Sequence, residues 1–390
     1  MCLLPSRTLQ RGDHMQPPLD RRTFLRLGAT GTAAGVLGLA SHAQPPAAVP
    51  PPAATRSRSG AEYINQETQT AIERGLDFLV RNQLNDGSFS ERLGGATVGI
   101  TSLCGLALMS AGHQPGRAKH GKSVARAVDY VAEKANGPMN GFLTTPDSQT
   151  VGRLSSQPSP MYSHGFGTLF LSEVCGMLPA AVRDTTVRAA LEQAVAFTVA
   201  AQNQEGGWRY EPRAQFADVS VTVAQMMALR AARNAGLFVR KSVMDAGANY
   251  VKACQLPDGG FSYWKGQGYS AFARTAASIV GLYSAGIYEG REVERGLKYL
   301  QQFTPGRQFG PREIPPQHYW YGQYYAALAM WTAGDDYWTA WLPAIRDELL
   351  GKARASGGTW TDPYHGAAYA TAMALIILQL PNNYLPILQK

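Results

Sequence analysis

One pattern recurs six times between residues 61 and 390, and it constrains the fold more than any other feature of the chain. Each copy holds an amphipathic stretch, a glycine-rich loop that ends in an aromatic residue, and a second, more apolar stretch. The loop aromatics recur at intervals of 48 to 66 residues; they are Phe89, Phe142, Trp208, Phe261, Phe309 and Trp360. A unit of this kind cannot bury its apolar face alone, which is typical of folds in which neighbouring repeats stack.

Both stretches of each unit have the spacing of α-helices. In the first unit Ile72, Leu76 and Leu79 share one helix face, while Glu73 and Asp77 lie on the other. The second stretches, such as 327–330 and 370–375, are apolar on every side, and the one in the third unit is predicted to run from 219 to 236. Helices that are apolar all round are buried helices, so the second helices are expected to form an inner layer.

Six outer and six inner helices predict an all-α fold, an α/α6 toroid in which six helical hairpins close into one barrel. Closure explains why neither end of the array carries a polar capping repeat. An open superhelix of the same hairpins is the alternative. The sequence therefore predicts a single toroid domain over residues 61–390.

The residues before this domain predict export. Arg21 and Arg22 lie in a segment that matches the twin-arginine signal, and a mildly apolar stretch over 27–40 is followed by small residues at 41 and 43. Residues 1–43 are therefore interpreted as a signal peptide, and 44–60, rich in Pro and Ala, as a tether. The apolar stretch is too short to span a membrane. We expect a periplasmic or cell-envelope protein without a membrane span after signal removal.

Charge and cysteine content exclude several classes of function. The net charge is +8, but residues 1–43 alone hold five Arg against two Asp. No stripe of Lys and Arg remains to neutralise phosphates, so nucleic-acid binding is not expected. Outside the predicted signal peptide, Cys104, Cys175 and Cys254 lie far apart in apolar helical patterns. They predict small buried side chains rather than a disulfide framework or a zinc knuckle.

Three loops share the pattern Gln-x-x-x-Gly-x-aromatic, at 83–89, 202–208 and 255–261. Glycine supplies the positive φ at which the outer helix ends, the Gln amide satisfies exposed backbone groups, and the aromatic is expected to stack over the turn. This motif resembles the QW motif of the squalene cyclases and the repeat of protein prenyltransferase β subunits. The resemblance covers residues 62–385 and implies their toroid fold, with any activity in a central cavity at the end where the inner helices begin.

The cyclase resemblance extends to one acid. Squalene–hopene cyclases protonate an alkene with an Asp-x-Asp-Asp motif at the start of an inner helix, and Asp218 matches its first Asp. Ser220 stands in place of the central, proton-donating Asp, and a hydroxyl is too weak an acid for that reaction. Cyclisation by the standard acid is therefore not expected. Asp218 is equally well interpreted as the N-cap of its own helix.

The prenyltransferase resemblance extends to one zinc ligand. His365 matches the family's histidine ligand, but the expected Asp-x-Cys pair is missing from the preceding repeat. A single His does not make a zinc site, so no cofactor is predicted, although zinc would be the candidate if one were bound.

The candidate site residues follow the loop aromatics along the chain. Asp218, His365 and Arg274 are the candidates for catalysis. Twelve further residues are candidates for binding a ligand; they are Trp208, Tyr210, Tyr263, Trp264, His164, His318, Tyr319, Tyr321, Tyr324, Trp360, Tyr364 and Tyr369. An aromatic-lined cavity suits an isoprenoid or its carbocation through apolar burial and cation–π attraction, although aromatics also simply fill and brace a ring.

Three functions stay open at this point. The first is a terpene-cyclase-like or prenyltransferase-like toroid that binds an isoprenoid or other apolar molecule. The second is a non-catalytic scaffold or binding protein of the cell envelope. The third is a carbohydrate-active α/α barrel, for which Glu211, Asp218 and Arg274 would supply the acids and the cation.

Overall fold

The computed structural model describes residues 63–90, 97–145, 160–178, 181–306 and 318–389. The predicted signal peptide, the tether and the loop aromatic Phe309 lie outside these ranges. Within them, twelve α-helices follow one another and the described residues contain no β-strand, which confirms the all-α prediction. The helices are α1 (Gln66–Arg81), α2 (Val98–Ser110), α3 (Gly121–Glu133), α4 (Pro160–Val174), α5 (Ala181–Ala201), α6 (Val219–Asn234), α7 (Lys241–Ala253), α8 (Phe272–Ser284), α9 (Arg291–Leu300), α10 (Tyr319–Ala333), α11 (Asp335–Ala355) and α12 (Gly366–Gln379).

The even-numbered helices form the inner layer and the odd-numbered helices the outer one. Every residue of α2 is buried, whereas α1 buries a single stripe that includes Ile72, Leu76 and Leu79. The helix predicted over 219–236 ends two residues early, at Asn234, because Gly236 takes a positive φ of 88°. Burial on all sides thus distinguishes inner from outer helices, as the hydrophobic patterns predicted.

The inner helices form a closed ring. Each contacts the next in chain order, and α12 contacts both α10 and α2. At the closing contact the Gln379 side-chain amide donates to the Ala107 carbonyl (3.1 Å), and Asn382 donates to Ser110 (3.0 Å). The outer layer closes too, since α1 contacts α11 and α12. The toroid prediction is confirmed, and the open superhelix is excluded.

All six inner helices begin at one end of the ring, which we call the mouth. Residues near the start of one inner helix contact residues near the start of the next: Gly99 lies against Ser163, and Gly322 against Ala273. Such same-level contacts require parallel helices. At the opposite end the C-terminal residues 387–389 cover the ends of α6, α8 and α10, and Trp331 donates its indole N–H to the Leu388 carbonyl (3.0 Å).

Each loop motif joins its own unit to the next outer helix. The amide of Gln202 donates to the carbonyl of Gly206 in its own loop (2.7 Å) and to that of Val243 in α7 (2.9 Å). Gln83 and Gln255 make the equivalent pairs of bonds to their own loops and to α3 and α9. The predicted role of Gln in satisfying backbone carbonyls is therefore confirmed, and the structure adds that the bond crosses to the following repeat.

The loop aromatics are buried between the two helix layers instead of stacking over the turn as expected. Trp208 packs near Gly247 of α7, and Trp360 near Gly75 of α1, where the lack of a side chain leaves room for the ring. Their backbone N–H groups donate to a threonine of the following inner helix, Thr222 (3.0 Å) for Trp208 and Thr371 (3.4 Å) for Trp360. The backbone of each tryptophan is thus hydrogen-bonded to an inner helix, while its ring fills the space beside a glycine of an outer helix.

Candidate functional site

The centre of the ring is filled by side chains rather than open. Helices α4 and α10 face each other across it, and their aromatic rings meet at two levels. Tyr162 and Tyr321 have their centroids 6.1 Å apart, and Phe166 and Tyr324 lie 6.3 Å apart further in. The predicted aromatic-lined cavity is therefore replaced, at these levels, by packed aromatic pairs, and the mouth is the accessible end.

The floor of the mouth is built from the third residues of the inner helices. Tyr162, Arg274 and Tyr321 hold this position in α4, α8 and α10, and each is partly exposed. The wall comes from the loops before α6 and α8, whose backbones bond to neighbouring helix starts. The Tyr210 carbonyl accepts from Met161 of α4 (3.2 Å), and the Tyr263 carbonyl accepts from Val219 of α6 (3.2 Å).

Asp218 lies beneath this wall, with none of its surface exposed to solvent. Its Oδ1 accepts a hydrogen bond from the Val221 backbone N–H (2.9 Å), which confirms the N-cap interpretation. Its Oδ2 is buried and has no hydrogen-bond partner among the described residues. Burial raises the pKa of this carboxyl from 3.8 to about 7, although the Val221 N–H, the Arg209 guanidinium and the Ser220 backbone N–H act in the opposite direction. Asp218 is therefore substantially protonated at neutral pH.

Besides Tyr250 of α7, four tyrosines at the mouth lie close enough to Asp218 to feel its charge: Tyr162, Tyr210, Tyr263 and Tyr321. Burial raises the pKa of each phenol, and the Asp218 charge raises it further, so all four are neutral hydroxyls. The Tyr263 hydroxyl donates to that of Tyr210, which joins the two wall loops. Ser220 lies beside the hydroxyls of Tyr162 and Tyr321. We call these four tyrosines, with Asp218 and Ser220, the mouth cluster.

Two arginines flank the mouth cluster. The Arg209 guanidinium lies over the rings of Tyr210 and Trp264, at 5.8 and 5.6 Å from their centroids. Arg274 lies 5.0 Å from the Tyr269 ring and donates to the Tyr269 carbonyl (2.7 Å). Cation–π contacts of this kind hold both guanidinium groups at the aromatic rim.

Several predicted site residues lie away from the mouth cluster. Trp208 and Trp360 are buried between the layers, where their indole N–H groups donate to carbonyls of the outer helices α5 and α11. His164 points to the outer layer as well, toward Thr198 of α5 (2.8 Å), and burial lowers its pKa to about 3. Tyr319 donates to Glu348 of α11 (2.5 Å). The contacts of these four residues are those of packing between layers.

The remaining predicted residues lie around or below the cluster. Tyr324 and Tyr369 lie inside the ring, close enough to Tyr321 that its ionised form would raise the pKa of both phenols. His365 precedes α12, with its ring 4.9 Å from that of Tyr369, whereas Tyr364 and His318 are exposed. Among the described residues, no three His, Cys, Asp or Glu side chains come together as a metal site would require.

Sequence reasoning missed three residues of the site: Tyr162, Ser220 and Arg209. Tyr162 lies in α4, the inner helix of the second repeat, whose loop lacks the Gln-x-x-x-Gly-x-aromatic motif. The available signal was register, because aligning the inner helices at their first residues places Tyr162 level with Arg274 and Tyr321. Ser220 was considered only as a replaced acid, and its position beside two tyrosine hydroxyls emerges only in the folded ring.

Comparison with known proteins places this architecture in a family. A family model of the prenyltransferase alpha-alpha toroid domain matches residues 57–144 and 162–306. Among solved structures, the type II terpene cyclase MstE from Scytonema, in its apo form, is 16% identical with a TM-score of 0.52, covering 82% of this chain and 100% of that one. A search of curated proteins found no match.

Other solved structures extend the likeness to a different chemistry. A variant of MstE in complex with geranylgeranyl dihydroxybenzoate is 14% identical with a TM-score of 0.53, covering 82% of this chain and 98% of that one. The alpha-1,6-mannanase GH76A of Salegentibacter sp. HEL1_6, as an inactive variant bound to alpha-1,6-mannotriose, is 8% identical with a TM-score of 0.56, covering 80% and 98%. At such identities the likeness shows a shared fold and nothing further.

None of the helices in the described ranges combines the length and apolar character that crossing a membrane requires. Cys104, Cys175 and Cys254 form no disulfide with one another, and all three are buried as predicted.

Proposed function

The chain belongs to the prenyltransferase alpha-alpha toroid domain family, and we propose that it binds an apolar molecule of the isoprenoid type at the mouth of the helix ring. In this proposal Asp218 acts as a neutral carboxylic acid toward the ligand, and the four tyrosines of the mouth cluster supply its aromatic surroundings. The export signal that the sequence predicts in residues 1–43 leads us to propose that binding takes place in the periplasm or cell envelope.

A single observation carries the proposal: Asp218 has one more oxygen than its structural role requires. Thr97 caps α2 from the equivalent position, and its hydroxyl accepts from the Ile100 N–H (3.1 Å). A small neutral side chain is therefore enough to cap an inner helix of this toroid. A carboxyl at this position buries a second oxygen without a partner, which costs free energy unless something binds there. Unpartnered, buried acids with raised pKa values concentrate at functional sites.

The surroundings favour an apolar, unsaturated ligand over a charged one. Neutral phenols offer aromatic faces to hydrocarbon and to any positive charge that develops on it. The buried, protonated form of Asp218 can donate a hydrogen bond or a proton toward a double bond or a hydroxyl. Ser220 cannot supply the proton of the standard cyclase reaction, so we propose binding rather than squalene cyclisation. Incubation with squalene should accordingly yield no hopene.

Native mass spectrometry of the exported protein, followed by lipid extraction, tests the proposal. The wild-type protein is expected to release a polyprenyl or other isoprenoid compound, and to bind added geranylgeraniol. Asp218→Thr keeps the helix cap, as Thr97 does in α2, but removes the acid, and should weaken geranylgeraniol binding about tenfold. Glu211→Gln, which removes an exposed acid of the same loop, is the matched control and should bind as the wild type does.

Two results would count against this function. If Asp218→Thr binds geranylgeraniol as tightly as the wild-type protein, the second oxygen of Asp218 has no role in ligand binding. If the purified protein carries a bound glycan and no lipid, the apolar assignment is wrong and glycan binding replaces it.

Glycan binding is the second candidate, and the exposed rim aromatics favour it. Trp264 and Tyr269 are 41% and 75% exposed and lie beside Arg209 and Arg274, so a sugar ring could stack on either aromatic face. Hydrolysis by a pair of acids has weaker support. Neither Asp218 nor Glu211 is among the groups whose charge acts on the other, so they do not form the close acid pair that hydrolysis needs.

A further inference from the structure

A second surface feature lies on the outside of the toroid, away from the mouth. A groove of about 570 Å³ runs between α5 and the loop that joins α6 to α7. Val195, Val199 and Leu237 contribute to its apolar floor, Arg188 and Arg240 also line it, and Phe238 stands at its edge. Its size lies within the range of binding pockets. Nothing in the proposed function uses it.

Phe238 is 85% exposed, more than any other large apolar side chain in the described residues. This exposure does not arise from a poorly packed loop. Leu237 and Val239 on either side are buried, and the Leu237 N–H donates to the Ala232 carbonyl (3.0 Å). Alternation along this extended stretch therefore fixes the Phe238 ring outward.

The other repeats show that this position does not require an exposed aromatic. Five of the six inner helices, all except α12, end before a glycine of positive φ, and Phe238 is the second residue after the glycine that follows α6. The equivalent residues Gln114 and Asp336 are exposed and polar. The equivalent Tyr288 is half-buried, where it stacks on Tyr283 and accepts a hydrogen bond from Arg230. Only the third repeat combines a large apolar ring with exposure among the described copies.

The charges around the groove select a partner. Arg188 is paired with Glu192 (3.1 Å), but Arg240, which also lines the groove, is exposed and makes no ion pair among the described residues. The edge of an apolar floor thus carries uncompensated positive charge. Phe238 is also the only exposed large hydrophobic among the residues that line the groove. A single ring offers little area for anchoring to a membrane.

We propose that this groove binds a segment of a partner protein that inserts an apolar side chain beside Phe238 and places a carboxylate opposite Arg240. An exposed aromatic above an apolar floor, rimmed by charges, is the arrangement of an interaction hot spot. The complementary charges orient the segment and speed its association. This site is independent of the mouth and of the ligand bound there.

The test uses the full chain and two short amphipathic helical peptides. Both peptides carry Leu on one face; the other face carries Glu in the first and Lys in the second. Fluorescence anisotropy should show binding of the Glu peptide and little binding of the Lys peptide. Phe238→Ser should weaken binding of the Glu peptide about tenfold. Arg240→Glu should reverse the preference between the peptides. Tyr384→Ser, at an exposed aromatic elsewhere, is the control and should leave binding of both peptides unchanged.

Because Phe238 is exposed, its substitution should leave the melting temperature unchanged, so a folding defect cannot account for lost binding. Equal binding of the two peptides, or a Phe238→Ser variant that binds like the wild-type protein, would overturn the proposal. It is also overturned if light scattering detects a dimer that Phe238→Ser abolishes, since the groove is then an interface between two copies. Flotation with anionic phosphatidylglycerol vesicles that depends on Phe238 would assign the groove to a lipid surface instead.

Discussion

Burial sets the protonation state of two titratable residues in this toroid. It disfavours the anion of Asp218 and the cation of His164, so both side chains tend to be neutral. Asp218 and His164 are both fully buried, and desolvation penalises the charged form of each. His164 is satisfied by its contacts with Leu143 and Thr198, so its neutral form is simply structural. Asp218 satisfies only one oxygen. Asp218 has a buried oxygen, Oδ2, without a hydrogen-bond partner, and His164 has no such atom. The proposed ligand contact is therefore assigned to Asp218.

The raised pKa of Asp218 predicts a pH dependence of stability. In the folded protein the carboxyl keeps its proton up to about pH 7, whereas the unfolded chain releases it near pH 3.8. The stabilisation that this group contributes is therefore fully present below pH 3.8 and is lost as pH rises through 7. Compared with Asp218→Asn, the wild-type protein should lose roughly 2–4 kcal/mol of unfolding free energy over this range.

Urea unfolding at a series of pH values measures this difference. Asp245→Asn, which removes an exposed carboxyl from α7, serves as the control and should follow the wild-type curve. Parallel curves for the wild type and Asp218→Asn would show that Asp218 is charged in the folded protein.

At the scale of elements, the loop glycines serve the contact with the next repeat as much as the turn itself. Gly206 has a φ of 88°, and a Cβ placed there would lie 2.6 Å from the Ala246 carbonyl oxygen of α7. The same close approach recurs at Gly87 and Gly259, against carbonyls of α3 and α9. The backbone of each loop therefore touches the next outer helix directly, and the Gln amide bonds it at the same place.

A matched pair of glycines separates the effect of this contact from that of the turn. Gly236 has the same φ of 88°, but a Cβ there would meet nothing within 4 Å. Gly236→Ala should destabilise the protein by roughly 1–2 kcal/mol, the cost of a left-handed alanine. Gly206→Ala should cost roughly 1–3 kcal/mol more, because the loop must also move away from α7. If chemical denaturation gives the same loss of unfolding free energy for both variants, the loop moves away from α7 at no cost.

At the scale of the whole molecule, closure makes the last hairpin a neighbour of the first. Trp360 packs near Gly75, α12 contacts α2, and Arg354 pairs with Glu67 across the same seam. In an open array, removing a terminal repeat breaks only the one interface between that repeat and its neighbour. In this ring the last hairpin has two interfaces, and its removal exposes the apolar sides of both α10 and α2.

Ending the chain at Gly334, which removes α11 and α12, should therefore abolish the cooperative unfolding transition. Ending it at Asn383 removes only the tail that covers the far end of the ring, and should lower stability while preserving a single transition. Circular dichroism during urea titration distinguishes the two outcomes. A cooperative transition in the chain that ends at Gly334 would show that the remaining five hairpins are stable without closure.

Local sequence was enough to define the hairpins. The spacing of Ile72, Leu76 and Leu79 and the all-round apolar character of the inner helices identified the two layers, because helical periodicity is a local property. The positive φ of Gly206, the bond from Gln202 to its own loop and the cap at Asp218 also involve residues only a few positions apart. Six such hairpins with no capping repeat led to a closed ring.

Only the tertiary structure decided what lies inside that ring and at its mouth. Tyr162, Asp218, Ser220 and Tyr321 come from three helices, and their meeting depends on the relative rotation of helices far apart in sequence. The same rotations bring Tyr162 and Phe166 against Tyr321 and Tyr324, so the two rings that were expected to line a cavity pack against two others instead. Hydrophobic pattern specifies that a side chain is buried, but packing geometry determines which side chains bury one another.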